Sequence, residues 1–337
     1  MRKYSEKSEM YDWITASYVY SKESGNPNDF VPRQRYLQRI VQTNEVKNFY
    51  TDTTWSNGFL NNSETGRKMR VNISDNRINI GICPNKWVLG NNVQEAPLGE
   101  VQKTFEDISE RLGLDLMKFV VTDLDVTHTA QTEYIPQAYF PYLCLNDGFE
   151  RWQHNTSLYY GARSSKIVKL FYDKVNQVNG RKNKTWGGKQ SIPLELKGQN
   201  LTRFECRLGT NKEIRNVVGG LGNLGQLFQE KHIEQLQDWW LNQYETIPKT
   251  TELNWNFKEQ MGQKAVDETI NHLGLMSLGR LQIEQLIELA SKQGAYKHPS
   301  QKTASKKKLL GAFETNGRKH DIIKELDEKY RNTEPKW

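Results

Sequence analysis

The sequence contains few cysteines and no long apolar run. Its 337 residues include three cysteines, Cys83, Cys144 and Cys206, and none of them forms a CxxC pair. This spacing excludes a disulfide-rich scaffold and the common zinc motifs. No stretch of 18 apolar residues is present, so no membrane-spanning helix is predicted, and the segment at positions 1–13 lacks the apolar core of a signal peptide. We therefore expect a soluble protein of a reducing compartment, with no membrane partner.

Charge and aromatic content favour a polyanionic partner. The chain has 47 Lys and Arg against 40 Asp and Glu, a formal net charge of +7, together with 9 Trp, 15 Tyr and 12 Phe. Single-stranded nucleic acid is bound by this combination, because bases stack on rings while phosphates contact cations. The alternative interpretation is that most of the rings fill a core.

Hydrophobic periodicity predicts a mixture of strands and helices. Alternating apolar residues indicate strands, and an apolar face repeating every three to four residues indicates helices. Strands are predicted over 10–20, 116–127 and 201–208, hairpins over 68–83 and 157–174, and helices over 99–112 and 224–244, whereas 83–93 is predicted to be a strand exit and tight turn. We therefore expect an α+β fold in which an antiparallel β-sheet has flanking helices.

The composition changes near residue 250. The remaining chain has helical periodicity over 259–273, 279–293 and 318–331, with a basic run at 300–308 between the last two segments. We predict a first domain over 1–250 and a helical C-terminal domain over 251–337. The second domain is interpreted either as a plain helical packing unit or as a DNA-binding module.

Acidic residues on two predicted strands are candidate metal ligands. Asp123 and Asp125 share one strand face, and oxygen ligands of this kind are preferred by Mg²⁺ or Mn²⁺. Glu205 is a candidate third ligand. His128 could bind a metal or move a proton, although alternation places it on the face opposite Asp125. A solvated strand end is the alternative for the aspartate pair.

The cations around Glu205 are candidate phosphate ligands. Arg203 and Arg207 share its strand face, and guanidinium groups bind phosphate oxygens well. A charged stripe of this kind is also normal on a half-exposed sheet, so the strand alone does not establish a site.

Tyrosines near the end of a predicted hairpin are candidate nucleophiles. Tyr172 is followed by Lys174 on the same strand face, and a nearby cation would help a phenol to attack phosphate. Tyr159 and Tyr160 on the preceding strand compete for this role. The alternative is that Tyr172 is a half-buried structural residue.

Five segments of the chain match one known pattern in the same order. They are Met10-Tyr11-Asp12, then Pro84, Lys86, Gly90 and Asn92 with Val88 at a leucine position, then TDLDVT at 122–127, YDK at 172–174 and RFECR at 203–207. In this order they resemble the gene II/X family of filamentous-phage replication initiators. The resemblance covers roughly residues 10–245. The segment YGARS at 160–164, which contains Arg163, is also similar to a hairpin of rolling-circle initiators from staphylococcal plasmids.

The resemblance implies a protein that nicks and rejoins DNA in rolling-circle replication. It implies a tyrosine nucleophile at Tyr172 and a relation to the HUH nucleases, while the plasmid motif keeps Tyr159 and Tyr160 as alternative nucleophiles. The chain lacks their His-hydrophobic-His triplet, so Mg²⁺ or Mn²⁺ would be held by Asp125 and Glu205, with His128 as an additional candidate. Asp123 stands where the family has arginine, so the match gives it no ligand role.

Partners and location follow from the same resemblance. It implies origin DNA, as a single strand or hairpin, contacted by the basic residues Arg203, Arg207, Arg163 and Lys86, in the cytoplasm of a bacterial host cell. A host helicase and polymerase are the implied protein partners. The alternative functions are a non-catalytic initiator that melts origin DNA and recruits host replication proteins, and a structural protein with little affinity for DNA.

Overall fold

The computed structural model describes most of the chain. The described residues are 10–19, 46–51, 55–74, 77–162, 164–180, 192–220, 222–249, 280–296, 298–311 and 321–332.

Ten strands in the described ranges form one antiparallel sheet. They are β1 (Tyr11–Val19), β2 (Val46–Thr51), β3 (Trp55–Asn61), β4 (Lys68–Ser74), β5 (Arg77–Ile82), β6 (Val120–Thr132), β7 (Arg151–His154), β8 (Ser157–Tyr160), β9 (Ile167–Asp173) and β10 (Asn200–Leu208). Their order across the sheet is β2-β3-β4-β5-β1-β6-β10-β9-β8-β7, and every neighbouring pair is antiparallel. With the helices below, this confirms the predicted α+β class.

The helices in the described ranges lie between and after the strands. They are α1 (Pro84–Leu89), α2 (Leu98–Leu112), α3 (Lys174–Asn179), α4 (Asn211–Val218), α5 (Leu224–Leu227), α6 (Glu230–Glu245), α7 (Arg280–Lys292), α8 (Pro299–Gly311) and α9 (Asp321–Arg331). None of those in the described ranges is both long and apolar enough to cross a bilayer.

One face of the sheet carries the main core, and we call it the helix face. On β10 it is formed by Phe204, Cys206 and Leu208, which are fully buried. Phe204 stacks on Phe171 of β9 with ring centroids 4.3 Å apart, and Trp240 of α6 covers it at 5.2 Å. The alternation of side chains along each strand therefore directs the apolar residues toward these helices.

The opposite face, which we call the polar face, carries Arg203, Glu205 and Arg207 of β10. One end of it is covered by a second, small apolar cluster made of Val93, Val178 and Leu201, with Val175, Ile192 and Leu196 packed against it. Beyond this cluster Arg207 is partly exposed. The polar face is therefore covered at one end and open at the other.

Three local predictions were wrong. The segment after Cys83 is a short helix rather than a tight turn, because proline suits the first helical turn and Gly90, with φ of 73°, ends it. The single helix expected over 224–244 is interrupted at Phe228 and forms α5 and α6. The basic run at 300–308 lies inside α8 instead of separating helices. The segment 259–273 lies outside the described residues.

The last helix packs into the main core. Ile323, Leu326 and Tyr330 of α9 are fully buried, and Tyr330 donates a hydrogen bond to the carbonyl of Thr202 in β10 at 3.2 Å. This part of the expected C-terminal domain is therefore built onto the sheet. The boundary near residue 250 falls within residues that the structure does not describe.

Candidate active site

Strand register brings most of the candidate residues to the polar face. Asp125 of β6 lies opposite Arg207 of β10, and Arg203 lies opposite Tyr172 of β9. Because residues opposite each other point to the same side of a sheet, both acids, both arginines and the phenol share one surface. Glu205 lies between the two arginines on β10.

An ion pair joins the acidic strand to β10 at the open end. Arg207 donates two hydrogen bonds to Asp125, Nε to Oδ1 at 2.8 Å and Nη2 to Oδ2 at 3.1 Å. Asp123 lies further away, with Oδ1 3.7 Å from Nε of Arg207. Burial and the nearby charge of Glu205 raise the pKa of Asp125 well above its ordinary value, and Arg207 opposes this shift. Asp125 and Glu205 therefore have a reduced tendency to be negatively charged at the same time.

The candidate nucleophile contacts the second acid directly. The hydroxyl of Tyr172 donates a hydrogen bond to Oε2 of Glu205 at 3.0 Å. Tyr172 is 6% exposed and Glu205 is 9% exposed. Burial and the charge of Glu205 raise the pKa of the Tyr172 phenol well above its ordinary value. In this arrangement the Tyr172 phenol stays protonated and lies on the buried side of Glu205.

Buried cations lie around this contact. Arg203 forms an ion pair with Asp12, with Nη1 3.1 Å from Oδ1, and the ammonium of Lys174 lies 5.7 Å from the ring centroid of Tyr172. Lys174 is fully buried, and burial and the charge of Arg203 lower its pKa well below the ordinary value. Lys174 begins α3 instead of continuing β9, and its Nζ donates to Oε1 of Gln177 at 2.9 Å.

Sequence reasoning did not assign Asp12 to the site. The register between β1 and β6 shifts between Tyr11 and Trp13, and this bulge lets Asp12 reach Arg203. Asp12 also accepts a hydrogen bond from the amide of Asn92 at 2.6 Å. Burial acts to raise its pKa, but the charges of Arg203 and Lys174 outweigh burial and lower it. In the sequence, Asp12 is marked only by its place in the Met10-Tyr11-Asp12 match, which supports the family resemblance but assigns Asp12 no role in the site.

Two of the predicted site residues, Tyr160 and His128, lie on the helix face, away from Asp125 and Glu205. Tyr160 is fully buried, and its hydroxyl donates to the carbonyl of Cys144 at 2.8 Å. Its partner across β9 is Lys169, which shares the helix face. The geometry therefore separates Tyr160 from Glu205 by the thickness of the sheet, which corrects the expectation that it joins the site.

His128 is displaced from the acids for the same reason. It lies opposite Phe204, its ring centroid is 6.0 Å from that of Trp240, and its Nδ1 is 3.0 Å from Oε1 of Glu95. His128 cannot share a metal with Asp125 and Glu205 in this arrangement. Arg163 lies outside the described residues.

The acids do not form a metal site as they are arranged here. Both oxygens of Asp125 accept from Arg207, and Oε2 of Glu205 accepts from Tyr172. Among the residues that the structure describes, no group of three His, Cys, Asp or Glu side chains is placed to hold an ion. The predicted Mg²⁺ or Mn²⁺ therefore does not fit this arrangement of side chains.

A pocket opens on the polar face next to the acids. It has a volume of about 470 Å³ and is lined by Trp152 and His154 of β7, Tyr159 of β8, Gly161 and Ala162 of the following turn, Val168 and Leu170 of β9, and Glu205 and Arg207 of β10. Tyr159 is thus the hairpin tyrosine with access to open space, whereas Tyr172 is not among the residues that line the pocket.

Several basic residues lie on the side of Asp125 that is opposite the pocket. Trp13 of β1 lies opposite Asp125, and a small depression of about 60 Å³ beside it is lined by Arg67, Lys68, Arg70, Cys83, Lys86 and Trp87. Lys86, predicted to bind nucleic acid, belongs to this group. Its charge also acts to lower the pKa of Asp12.

A larger depression of about 700 Å³ lies away from this chemistry. Its lining includes Glu133, Glu325 and Glu328 with Lys329, and it contains none of the candidate residues. Its excess of carboxylates is unfavourable for a polyanion. We therefore place the candidate site at the smaller pocket.

Comparison with known proteins leaves the family of this chain unassigned. No family model matches the sequence, and no curated protein matches it. Among solved structures, the chain is similar to a rolling circle replication initiator protein from Geobacillus stearothermophilus, with 13% sequence identity and a TM-score of 0.40 over 79% of this chain and 95% of that one. A likeness of this size carries no functional inference.

Proposed function

We propose that this protein initiates rolling-circle replication by cutting one DNA strand at an origin with a tyrosine and later rejoining it. The observation that carries the proposal is the 3.0 Å contact between the Tyr172 hydroxyl and Glu205, beside Asp125 and Arg207 on the open part of the polar face. A phenol, a carboxylate to take its proton and cations for a phosphate are the groups that this reaction needs. The motif resemblance supports the same activity.

The proposed reaction exchanges one phosphate ester for another. Tyr172 Oη bonds to phosphorus, its proton passes to Glu205, and the bond from phosphorus to the 3′ oxygen breaks, with a proton from water completing the 3′ hydroxyl. Arg207, which lines the pocket, stabilises the negative charge on the phosphate oxygens. Arg203, predicted for the same role, is fully buried and paired with Asp12, so it acts on the phosphate only through its positive charge. The 5′ phosphate stays on the tyrosine, so the reverse reaction rejoins the strand without another energy source.

Access to the phenol is a requirement of this proposal. Glu205 lines the pocket and Tyr172 lies behind it, so the scissile phosphate must approach past Glu205 and Arg207. The phenol must then rotate outward. Tyr159 already faces the pocket, and this position makes it the second candidate for the nucleophile.

The test is the formation of a covalent adduct. We would incubate the protein with a random-sequence single-stranded DNA library labelled at its 3′ end, with Mg²⁺, with Mn²⁺ and with EDTA, and separate the products on a denaturing gel. Label should remain on the protein, and Tyr172→Phe should abolish it. Tyr134→Phe is the matched control, because Tyr134 is exposed and lies outside the site.

The other outcomes identify a different nucleophile or reject the nicking proposal. If Tyr159→Phe removes the adduct while Tyr172→Phe keeps it, Tyr159 is the nucleophile. If the wild-type protein gives no adduct with either ion, the nicking proposal fails. The comparison with EDTA tests the requirement for Mg²⁺ or Mn²⁺, which remains a prediction from the family resemblance.

A non-catalytic initiator is the second candidate function. It is favoured by the burial of Tyr172 and by the two hydrogen bonds that Asp125 accepts from Arg207. Such a protein would bind and melt origin DNA and recruit a host helicase. It would bind origin DNA without any adduct, whereas a nicking enzyme would also leave a 3′ hydroxyl for a host polymerase.

A further inference from the structure

We infer that the pocket formed by β7, β8 and β9 on the polar face binds an unpaired nucleobase of the DNA strand. This inference rests on the proposed function, because it places the base beside the acids that would act on the neighbouring phosphate. The observation that carries it is a row of side chains that runs across four strands. Trp152 lies opposite Tyr159, Tyr159 opposite Leu170, and Leu170 opposite Glu205.

Aromatic rings form the outer wall of the pocket. Trp152 is 53% exposed, and its indole Nε1 donates to Oε2 of Glu150 at 3.2 Å, which helps to fix the orientation of the ring. The rings of His154 and Tyr159 meet edge to face with centroids 5.7 Å apart. An exposed and oriented indole beside a second ring offers a surface on which a flat base can stack.

The inner wall of the pocket is polar. The side chain of Arg207 is 37% exposed, and a guanidinium has five N–H donors, of which the two bonds to Asp125 use two. The remaining donors can contact a phosphate next to the stacked base. Val168 and Leu170 provide the apolar floor between the rings and the charges. The arrangement of rings outside and a cation inside matches a nucleotide with its base on Trp152 and its phosphate toward Glu205.

Base pairing should compete with this mode of binding. A base in a duplex has its faces covered by its neighbours, so stacking on Trp152 requires an unpaired base. The volume of about 470 Å³ is within the usual range for small-molecule sites. The site therefore selects single-stranded DNA over a duplex of the same sequence.

The test measures affinity in EDTA by fluorescence anisotropy, with one labelled oligonucleotide as a single strand and as a duplex. Trp152→Ala should weaken single-strand binding by about 5- to 150-fold, the range expected when one base loses its stacking partner. Trp152→Phe should retain most of the affinity, and duplex binding should not change. Tyr134→Ala is the control, since Tyr134 is an exposed aromatic residue outside the pocket.

Two further measurements separate stacking from charge. The slope of log K against log salt should be the same for Trp152→Ala and the wild type, because the variant loses no phosphate contact. An abasic site scanned along the oligonucleotide should weaken wild-type binding at one position and leave the Trp152→Ala protein unaffected there. Equal losses for single strand and duplex, or wild-type affinity in Trp152→Ala, would overturn the inference.

Failure of this inference is distinguishable from failure of the proposed function. If the adduct forms but Trp152→Ala binds normally, the protein nicks DNA and the base lies elsewhere. If stacking is found but no adduct forms, the pocket stands and the nicking activity does not. Binding of the oligonucleotide that depends on neither Trp152 nor Tyr159 would overturn the placement of a base in this pocket.

Discussion

Lys169 is a buried cation held by neutral oxygens. Its ammonium donates to Oδ1 of Asn146 at 2.9 Å, the carbonyl of Gln243 at 3.1 Å and Oγ1 of Thr246 at 2.9 Å. Burial lowers its pKa to about 8, from 10.5 for an ordinary lysine. The lysine therefore links β9 to the end of α6. Burying its charged form costs folding free energy, and this cost depends on pH.

We predict that this cost disappears as pH rises. Between pH 8 and 10.5 the unfolded chain holds a proton that the folded protein has released, so the free energy of unfolding rises across this window, by about 3 kcal/mol in total. Below pH 8 the cost is fully present. Urea unfolding at several pH values should show this rise in the wild type and not in Lys169→Met. Parallel profiles for the two proteins would contradict the prediction.

The pH dependence of adduct formation should report Glu205. Burial and the charge of Asp12 raise the pKa of Glu205 above its ordinary value, so its basic form appears at a higher pH than for an ordinary glutamate. Adduct formation should rise with pH through that higher value. Asp12→Asn removes a negative charge and should move the rise to lower pH, provided that circular dichroism shows an unchanged fold. An unmoved pH profile would show that Glu205 does not accept the proton.

Alternation along a strand was sufficient to predict which residues of β10 share a face. It placed Arg203, Glu205 and Arg207 together because they lie two residues apart, and the structure has this arrangement. It could not assign Asp12, whose position depends on a register shift in another strand. The burial of Tyr172 was predicted only as an alternative, because alternation assigns a side chain to a face of the sheet and not to a degree of exposure.

At the scale of elements, α9 is held to the sheet by a buried polar contact as well as by its apolar side chains. Asp327 is 4% exposed and accepts a hydrogen bond from the hydroxyl of Tyr244 at 2.7 Å. Lys249 lies 3.7 Å from the same carboxylate. Because a buried charge needs such partners, the contact fixes the position of the helix on α6.

We predict that Leu326→Ala destabilises the protein by about 2–5 kcal/mol, because the side chain is fully buried and leaves a cavity. Glu328→Ala, on the exposed side of the same helix, should change stability by less than about 0.5 kcal/mol. Both values come from urea or thermal unfolding. If the two variants are equally stable, α9 is not part of the cooperative core.

Periodicity predicted that this segment is helical but not where it packs. The apolar repeat over 318–331 is compatible with an independent helical domain and with docking on the sheet. Docking on the sheet depends on contacts of Tyr330 with Phe171 and Phe204, whose ring centroids lie 6.4 and 6.1 Å from its own. Such contacts between distant parts of the chain leave no local pattern in the sequence.

At the scale of the whole molecule, the groups on the polar face follow the order of the strands across the sheet. Aromatic rings lie on β7 and β8, acids lie on β6 and β10, and cations lie near β4. The pocket with Trp152 and the basic group with Arg70 and Lys86 lie on opposite sides of Asp125. From β8 to β4 is six strand spacings, or about 29 Å. A single strand of several nucleotides could therefore contact both ends while its phosphate lies at Glu205.

This arrangement predicts different salt effects at the two ends. Arg70→Gln and Lys86→Gln should each weaken single-strand binding and reduce the slope of log K against log salt by about 0.7. Lys302→Gln is the control, because Lys302 pairs with Glu288 on α7 at 2.8 Å. Anisotropy titrations from 50 to 200 mM salt, about the usual working range, would measure both quantities. Unchanged slopes in both variants would remove the basic group from the DNA path.

The strand order was not predictable from the sequence, and it has a consequence for synthesis. β1 precedes both of its neighbours in the chain, β5 and β6, yet it ends in the centre of the sheet. On the ribosome this strand therefore emerges with neither edge paired, and it gains its second partner only after residue 120 has been made. Transiently exposed apolar surface and unpaired strand edges make a nascent chain prone to aggregation, so we expect slower translation between β1 and β6 to increase the need for chaperones.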